Sequence, residues 1–267
     1  MKVALGQFVI SPQWQNNAET CQILMARSVQ AGAALLVLPE ACMAQDGSQA
    51  DAVLRLAQPL DGPFVNRLLS ASRGTTLTTV AGMHIPSGDG LVYNVLVVIR
   101  DGELVAHYHK LHLYDAWEMK ESKNVKPGNE VPPLLDVAGF KVGLMTCYDL
   151  RFPDMARRLV MDGAEVLVAP SAWVKGPLKE KHWEMLTTTR ALENTCYLIG
   201  VSACGGRNIG NSLVVDPMGM AIAHAAEEPA LIFAELDRAR LAQVRQTLPV
   251  LENQRFVRPL LVDEWKV

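Results

Sequence analysis

The chain is short of several things at once. Only 20% of its 267 residues are charged and 6% are aromatic; 25 basic side chains nearly balance 28 acidic ones, and no block of one sign occurs. That argues against a nucleic-acid partner or a membrane partner, both of which draw on clustered Lys and Arg. Long apolar runs are missing too. The longest, Ala33 to Leu38, is far below the ~20 residues of a spanning helix. The N-terminus offers Lys2 and a β-like stretch up to Pro12, without the apolar segment and small-residue cleavage site of a secretion signal, and it is read as carrying none. Cysteine is sparse: Cys21, Cys42, Cys147, Cys196 and Cys204. Five is odd and no pair is spaced C-x-x-C, so reduced thiols and a cytoplasmic setting are expected. The six histidines form no H-E-x-x-H or Cys/His pattern, so no metal is expected. No G-x-G-x-x-G follows a strand, Gly205-Gly206 lacks a phosphate-loop pattern, and Ser171 lacks a G-x-S-x-G elbow. Nucleotide cofactors therefore have no support, and no cofactor is expected.

What is present is apolar material, 49% of the chain. A chain of this length can bury roughly 70–75% of its unfolded surface. Short β-branched runs alternate with helical patterns throughout. The spacing predicts strands at 3–9, 35–38, 78–84, 92–99, 104–109, 142–146, 166–169, 197–201, 213–215 and 231–236. Helices are predicted over 18–31, 63–73, 153–161 and 180–194, with a last one capped by Asp237 and ending near Thr247. Strand–helix–strand units separated by a hairpin meander predict a layered α/β sandwich of three or four layers. No linker or repeat divides the chain, so residues 1–267 are read as a single domain. The long connection Trp117 to Pro133 is marked as an active-site lid, because long structureless connections in compact domains are usually functional.

Three strand ends each deliver an unusual residue. The strand Leu35-Leu36-Val37-Leu38-Pro39 runs into Glu40, the strand ending Tyr108-His109 runs into Lys110, and Val142-Gly143-Leu144-Met145-Thr146 runs into Cys147. In open α/β sheets, sites form at the carboxyl ends of strands. A cysteine between a strand and a helix N-terminus is favoured as thiolate by the helix dipole, and a nearby Lys⁺ adds to that. A carboxylate in the same pocket could take the thiol proton and later activate water, splitting amide hydrolysis into two lower barriers. Each residue alone also has a plain reading. Cys147 could be a small core hydrophobe, Glu40 a helix-entry carboxylate, and Lys110 a solvated strand-end charge.

At these positions the sequence resembles the nitrilase, or carbon–nitrogen hydrolase, superfamily. The resemblance covers nearly the whole chain: Ala4-Leu5-Gly6-Gln7, Leu38-Pro39-Glu40, Lys110-Leu111-His112-Leu113, Cys147-Tyr148-Asp149-Leu150-Arg151-Phe152-Pro153, Pro170-Ser171-Ala172-Trp173, His182-Trp183, Arg190 to Asn194 and Asp216-Pro217-Met218-Gly219. It implies a four-layer αββα sandwich, no cofactor, a homodimer with the tail 248–267 at the contact, and a Glu–Lys–Cys triad. In that triad Cys147 is nucleophile, Glu40 general base and acid, and Lys110 the cation supporting the tetrahedral intermediate. The Tyr148 backbone N–H would complete the oxyanion hole, and Glu121 would serve as the family's second glutamate. Within the superfamily the chain is most similar to the deaminated glutathione amidase branch, on Ser202-Ala203-Cys204-Gly205, with ω-amidases beside it. It departs from many relatives at Thr188 and Asn211, where they carry Arg and His. The implied substrate is a small anionic amide, converted through a thioester. A catalytically silent binding subunit is the alternative outside enzymes. An anionic substrate calls for cations. Arg151 and Arg207 are the candidates, with Lys175 and Lys179 behind them and Trp173 and His182 in the same motifs. Arg151 could instead pair with Asp149 or Asp154.

Overall fold

The structure, a computed structural model, describes residues 1–47, 49 and 51–262. In chain order the first half runs β1 (Lys2–Gln7), α1 (Trp14–Gln30), β2 (Leu35–Val37), α2 (Ala52–Leu56), α3 (Pro63–Ser72), β3 (Thr78–Pro86), β4 (Val92–Arg100) and β5 (Glu103–His109). A short ribbon follows, β6 (Asp115–Ala116) and β7 (Met119–Lys120), then a 3₁₀ turn (Glu121–Lys123) and β8 (Val125–Lys126). The second half runs β9 (Leu135–Val137), β10 (Phe140–Leu144), a 3₁₀ turn (Cys147–Arg151), α4 (Pro153–Met161), β11 (Val166–Ser171), α5 (Lys179–Asn194) and β12 (Tyr197–Ser202). It closes with β13 (Leu213–Val215), β14 (Ala221–His224), β15 (Ala230–Glu235), α6 (Arg238–Thr247) and α7 (Val250–Asn253).

Strand alternation explains the layering. Successive side chains of a strand face opposite ways, and here both directions are apolar. Val3, Leu5, Val37, Val80 and Leu96 share one buried cluster with Val142, Leu167 and Leu198 of the second half. Their chain neighbours Ala4, Leu36, Ala81 and Val97 share another with Cys21, Leu24, Phe64 and Leu68 of α1 and α3. A sheet apolar on both faces must be covered on both. The first sheet has the order β15-β1-β2-β3-β4-β5 with β8 beside β4, and the second the order β14-β13-β12-β11-β10-β9. They stack face to face, with α1 and α3 outside one and α4 and α5 outside the other. This is the αββα sandwich. β1, β2 and β3 run parallel, as do β10, β11 and β12, each joined through helices.

Most expected elements are present, with bounds moved by a few residues. α1 starts at Trp14, ahead of the predicted Ala18. There the indole sits under the Arg67 guanidinium, 5.1 Å from its carbon. The short α2, α7, β9 and β14 lack a periodic signature of their own. The connection from Trp117 to Pro133 is not structureless: it holds part of the ribbon, a 3₁₀ turn and β8, which pairs with β4 through Val92 and Val125. The tail expected at a dimer contact is described only to Val262, and 263–267 lie outside the described residues. Its described part is tied to α4 by Arg158, which donates to Pro259 O, and by the Arg258–Asp162 ion pair.

Candidate active site

Glu40 follows β2 at a sharp backbone change. Leu38 N–H still donates to Val80 O, and Ala41 then takes φ 49°. The 39–43 segment lies directly against β3 at Gly82. A Cβ on Gly82 would stand 2.7 Å from Glu40 Cα and 2.5 Å from Ala41 N, so only glycine admits this approach. Cys147 is delivered in a similar way. β10 ends at Leu144, and Cys147 sits at φ 44°, a left-handed conformation that costs a non-glycine residue about 1–2 kcal/mol. Asp149 holds that turn. Its carboxylate is fully buried and accepts four hydrogen bonds. Oδ2 takes Thr146 N–H and Tyr108 O–H, each at 2.8 Å, and Oδ1 takes His112 N–H at 3.1 Å and contacts His112 Nδ1 at 2.7 Å. Tyr108 Oη in turn accepts Leu111 N–H. One carboxylate thus binds the Cys147 turn to the segment that carries Lys110. It pairs with His112 rather than with Arg151.

Lys110 Nζ lies between two carboxylates, 2.9 Å from Glu40 Oε1 and 2.9 Å from Glu121 Oε2. Asn94 Nδ2 donates to both acids, at 2.8 Å to Glu40 Oε1 and 3.1 Å to Glu121 Oε1. Ala172 N–H from the second sheet donates to Glu40 Oε2 at 2.8 Å, and Tyr114 N–H to Glu121 Oε2 at 2.6 Å. Burial opposes ionisation of Glu40, but the Lys110 charge and these donors outweigh it and hold the carboxyl below its ordinary value. Burial likewise opposes the Lys110 charge, and Glu121 and Glu40 overcome it, raising the amine well above its usual range. Cys147 goes the other way from the helix-dipole expectation. Burial, then the adjacent Glu40 carboxylate, push the thiol well above its ordinary value, and Lys110 only partly opposes them. A 3₁₀ turn, Cys147–Arg151, separates the thiol from α4, which begins at Pro153 as expected, so the thiol does not sit at the helix N-terminus. The resting arrangement is therefore thiol, carboxylate and ammonium. Such a set can pass the thiol proton to Glu40 as sulfur attacks an electrophilic carbon.

These groups line a cavity of about 510 Å³ together with Tyr148, Trp173, His84, Lys179, Arg207 and Asn208, within the range of small-molecule sites. Of the residues singled out by sequence, Glu40, Lys110, Glu121, Cys147, Tyr148, Trp173, Lys179 and Arg207 are brought together here. Arg151 is not among the lining residues. It sits in a smaller adjoining recess with Ala116, Trp117 and Tyr148, its guanidinium carbon 5.2 Å from the Trp173 ring centre. His182 stands behind it, 3.4 Å from Arg151 Nη2. Lys175 is exposed and donates to Gly206 O, because Val174, bridged to Asn208, takes the inward position and its neighbour turns out. Of the two candidate lysines, it is Lys179 that turns inward. Its Nζ is 4.0 Å from the Trp117 ring centre and 4.9 Å from that of Tyr114, and it donates to Tyr114 Oη at 2.6 Å. Sequence reasoning missed Asn94, His84 and the clamp role of Asp149. Asn94 left a trace, a lone amide inside the apolar run of β4. Among the described residues, no group of three or more His, Cys, Asp or Glu is placed to hold a metal.

Residues 2–246 match the family described as carbon-nitrogen hydrolase. The chain is 50% identical over 262 residues to a deaminated glutathione amidase of Escherichia coli O157:H7, covering 98% of this chain and all of that one. It is 36% identical over 271 residues to the deaminated glutathione amidase of Mus musculus, covering 95% of this chain and 83% of that one. Among solved structures, a Saccharomyces cerevisiae member of branch 10 of the nitrilase superfamily superposes with TM-score 0.84 at 27% identity, covering 96% of this chain and 97% of that one. Alone, the alignment would leave open which residues meet. With the Glu40–Lys110–Cys147 geometry and the αββα frame beside it, sequence and structure agree that this chain belongs to the carbon–nitrogen hydrolase family.

Proposed function

We propose that the chain is a thiol amidase that cleaves deaminated glutathione to 2-oxoglutarate and cysteinylglycine. The observation that carries the amidase reading is the Glu40–Lys110–Glu121 array lying against the Cys147 thiol on the wall of one cavity. In this reading Glu40 takes the Sγ proton as sulfur adds to the amide carbon. Lys110 Nζ and the Tyr148 N–H stabilise the oxyanion. The C–N bond breaks as Glu40 returns the proton to the departing amine, leaving a thioester on Cys147. Glu40 then deprotonates a water that attacks the thioester, and the carboxylate product and the thiol are released. Glu121 and Asn94 hold Lys110 and Glu40 in register. Lys179 is the cation for the 2-oxo carboxylate.

Two relatives that this chain matches along nearly its whole length bear that substrate in their names, which supports the choice of amide. The test compares kcat/KM for deaminated glutathione and for 2-oxoglutaramate in purified protein. A clear preference for deaminated glutathione is expected. A preference for 2-oxoglutaramate would make the chain an ω-amidase, and a Cys147→Ala variant with unchanged turnover would remove the mechanism altogether. The same reading includes a homodimer and a cytoplasmic setting. The exposed apolar tail side chains Phe256, Val257, Leu260 and Val262 support the first, and five buried free cysteines support the second. A light-scattering mass of one chain would refute the dimer. Among the described residues no helix is long and apolar enough to cross a membrane.

A further inference from the structure

Lys179 and Arg207 both line the cavity, and they reach it from different parts of the fold. Lys179 opens α5 and sits among the rings of Tyr114, Trp117 and Trp173. Arg207 belongs to the loop after β12, facing the Gln45–Gly47 segment of the other half of the sandwich. Among the described residues neither takes part in an ion pair, nor does Arg151. Among the described residues, the only hydrogen-bond acceptor of the Arg207 guanidinium is a thioether, Met119 Sδ, at 3.6 Å from Nη2. Thioether sulfur is a weak acceptor, so the exposed guanidinium keeps most of its five N–H donors open to solvent or to a ligand at the cavity wall.

The loop that carries Arg207 is held by its backbone and by the Asn208 side chain. Lys175 N–H donates to Arg207 O at 2.6 Å, Asn208 N–H to Gly205 O at 3.0 Å, and Asn208 Nδ2 to Gln45 Oε1 at 3.3 Å. Gly205 and Gly206 take φ 71° and 53°, which turns the chain sharply before the arginine. Across from it, Gly47 leaves room for the guanidinium: a Cβ there would stand 3.1 Å from Arg207 Nη1. A planar donor fork on a fixed loop, without a counter-ion, matches a carboxylate.

We infer that Arg207 is a specificity-determining residue that binds the distal, glycyl carboxylate of the substrate while Lys179 takes the 2-oxo carboxylate. The inference rests on the amidase reading above. Beyond the scissile nitrogen the substrate has two residues, and an extended chain spans at most about 3.3–3.6 Å for each. In an extended substrate the second carboxylate therefore reaches up to about 7 Å from the bond that breaks, away from the Lys110 array. A 2-oxo acid amide that ends at its amide nitrogen has no group for Arg207 to hold. Here lies a physical basis for preferring the longer amide.

The experiment is a cycle between protein and substrate. Deaminated glutathione and its analogue with the glycyl carboxylate converted to a primary amide are assayed by release of 2-oxoglutarate, so only cleavage of the γ-amide counts. Wild type, Arg207→Ala and Arg207→Lys are compared. Because Arg207 is exposed, its contact is screened. The wild type should prefer the acid by about tenfold in kcat/KM, mainly through KM, and less at high salt. In Arg207→Ala the preference should fall to about one, with Arg207→Lys between. A merely structural arginine, or one that only steadies Met119, would change both substrates alike and leave the ratio intact, and that result overturns the inference. So does a wild type indifferent to the carboxylate. A wild type that releases 2-oxoglutarate from neither compound overturns the amidase reading itself, and this inference with it.

Discussion

Replacing Asp149 by Asn tests whether one buried carboxylate holds the nucleophile turn. The shape of the side chain is kept, but one oxygen becomes an NH₂ donor. If it replaces Oδ2, Tyr108 O–H can turn to accept, yet Thr146 N–H is left facing a donor. If it replaces Oδ1, His112 can change tautomer, but His112 N–H is stranded. Either way one buried backbone donor loses its partner, which costs about 1–3 kcal/mol, and the remaining bonds lose their charge assistance, about 1 kcal/mol each. The expected loss is about 3–5 kcal/mol of unfolding free energy, in the range that marks a broken buried network. Thr146 directly precedes Cys147, so the φ 44° turn should loosen as well. Misplacing a reacting group by about 1 Å can cost roughly 10²-fold in rate. Urea unfolding followed by circular dichroism, with kcat measured on the folded fraction, reads both effects. A stability change below about 1 kcal/mol, or an unchanged kcat, would refute the clamp.

Two further outcomes are expected. Glu121→Ala strips Lys110 of one of its two carboxylates and Tyr114 N–H of its acceptor, so kcat/KM should fall by roughly 10²-fold; a fully active variant would leave Glu121 without the positioning role proposed for it. The pH profile of kcat/KM should be level from about pH 9 down to the ordinary carboxylate range near pH 4.3 and fall only below it. Glu40 is held below its ordinary value, while Cys147 and Lys110 are raised above theirs. The sign follows from linkage: a depressed carboxyl contributes stability above its unfolded value and loses it as pH falls through the folded one. An acid limb near pH 6–7 in the wild type would contradict this.

The layered α/β frame was legible because the apolar runs of β2, β11 and β12 leave no face for solvent, a pattern that a doubly covered sheet explains, while the number of layers, four, came from the family resemblance. Weakly patterned pieces were not. Leu135–Val137 and Ala221–His224 are edge strands whose register comes from a neighbour already in place. The chemistry-bearing residues were legible for a different reason: each interrupts or ends a regular pattern, as Glu40, Lys110 and Cys147 do at strand ends.

The sequence by itself determined which groups the chain can bring to chemistry, and that its strands and helices must form a layered sandwich. Only the tertiary structure decided what state those groups are in. Whether Cys147 rests as thiol or thiolate depends on Glu40 and Lys110, 107 and 37 residues away in the chain, and on burial by both sheets, none of which a local dipole argument contains. The same holds for the cations. Arg151, Lys175, Lys179 and Arg207 are equally basic in sequence, but only the pairing of Val174 with Asn208 and the packing of Trp117 against Lys179 separate those that face the cavity from those that do not. Electrostatic interactions fall with distance and with dielectric, and both are properties of the folded chain.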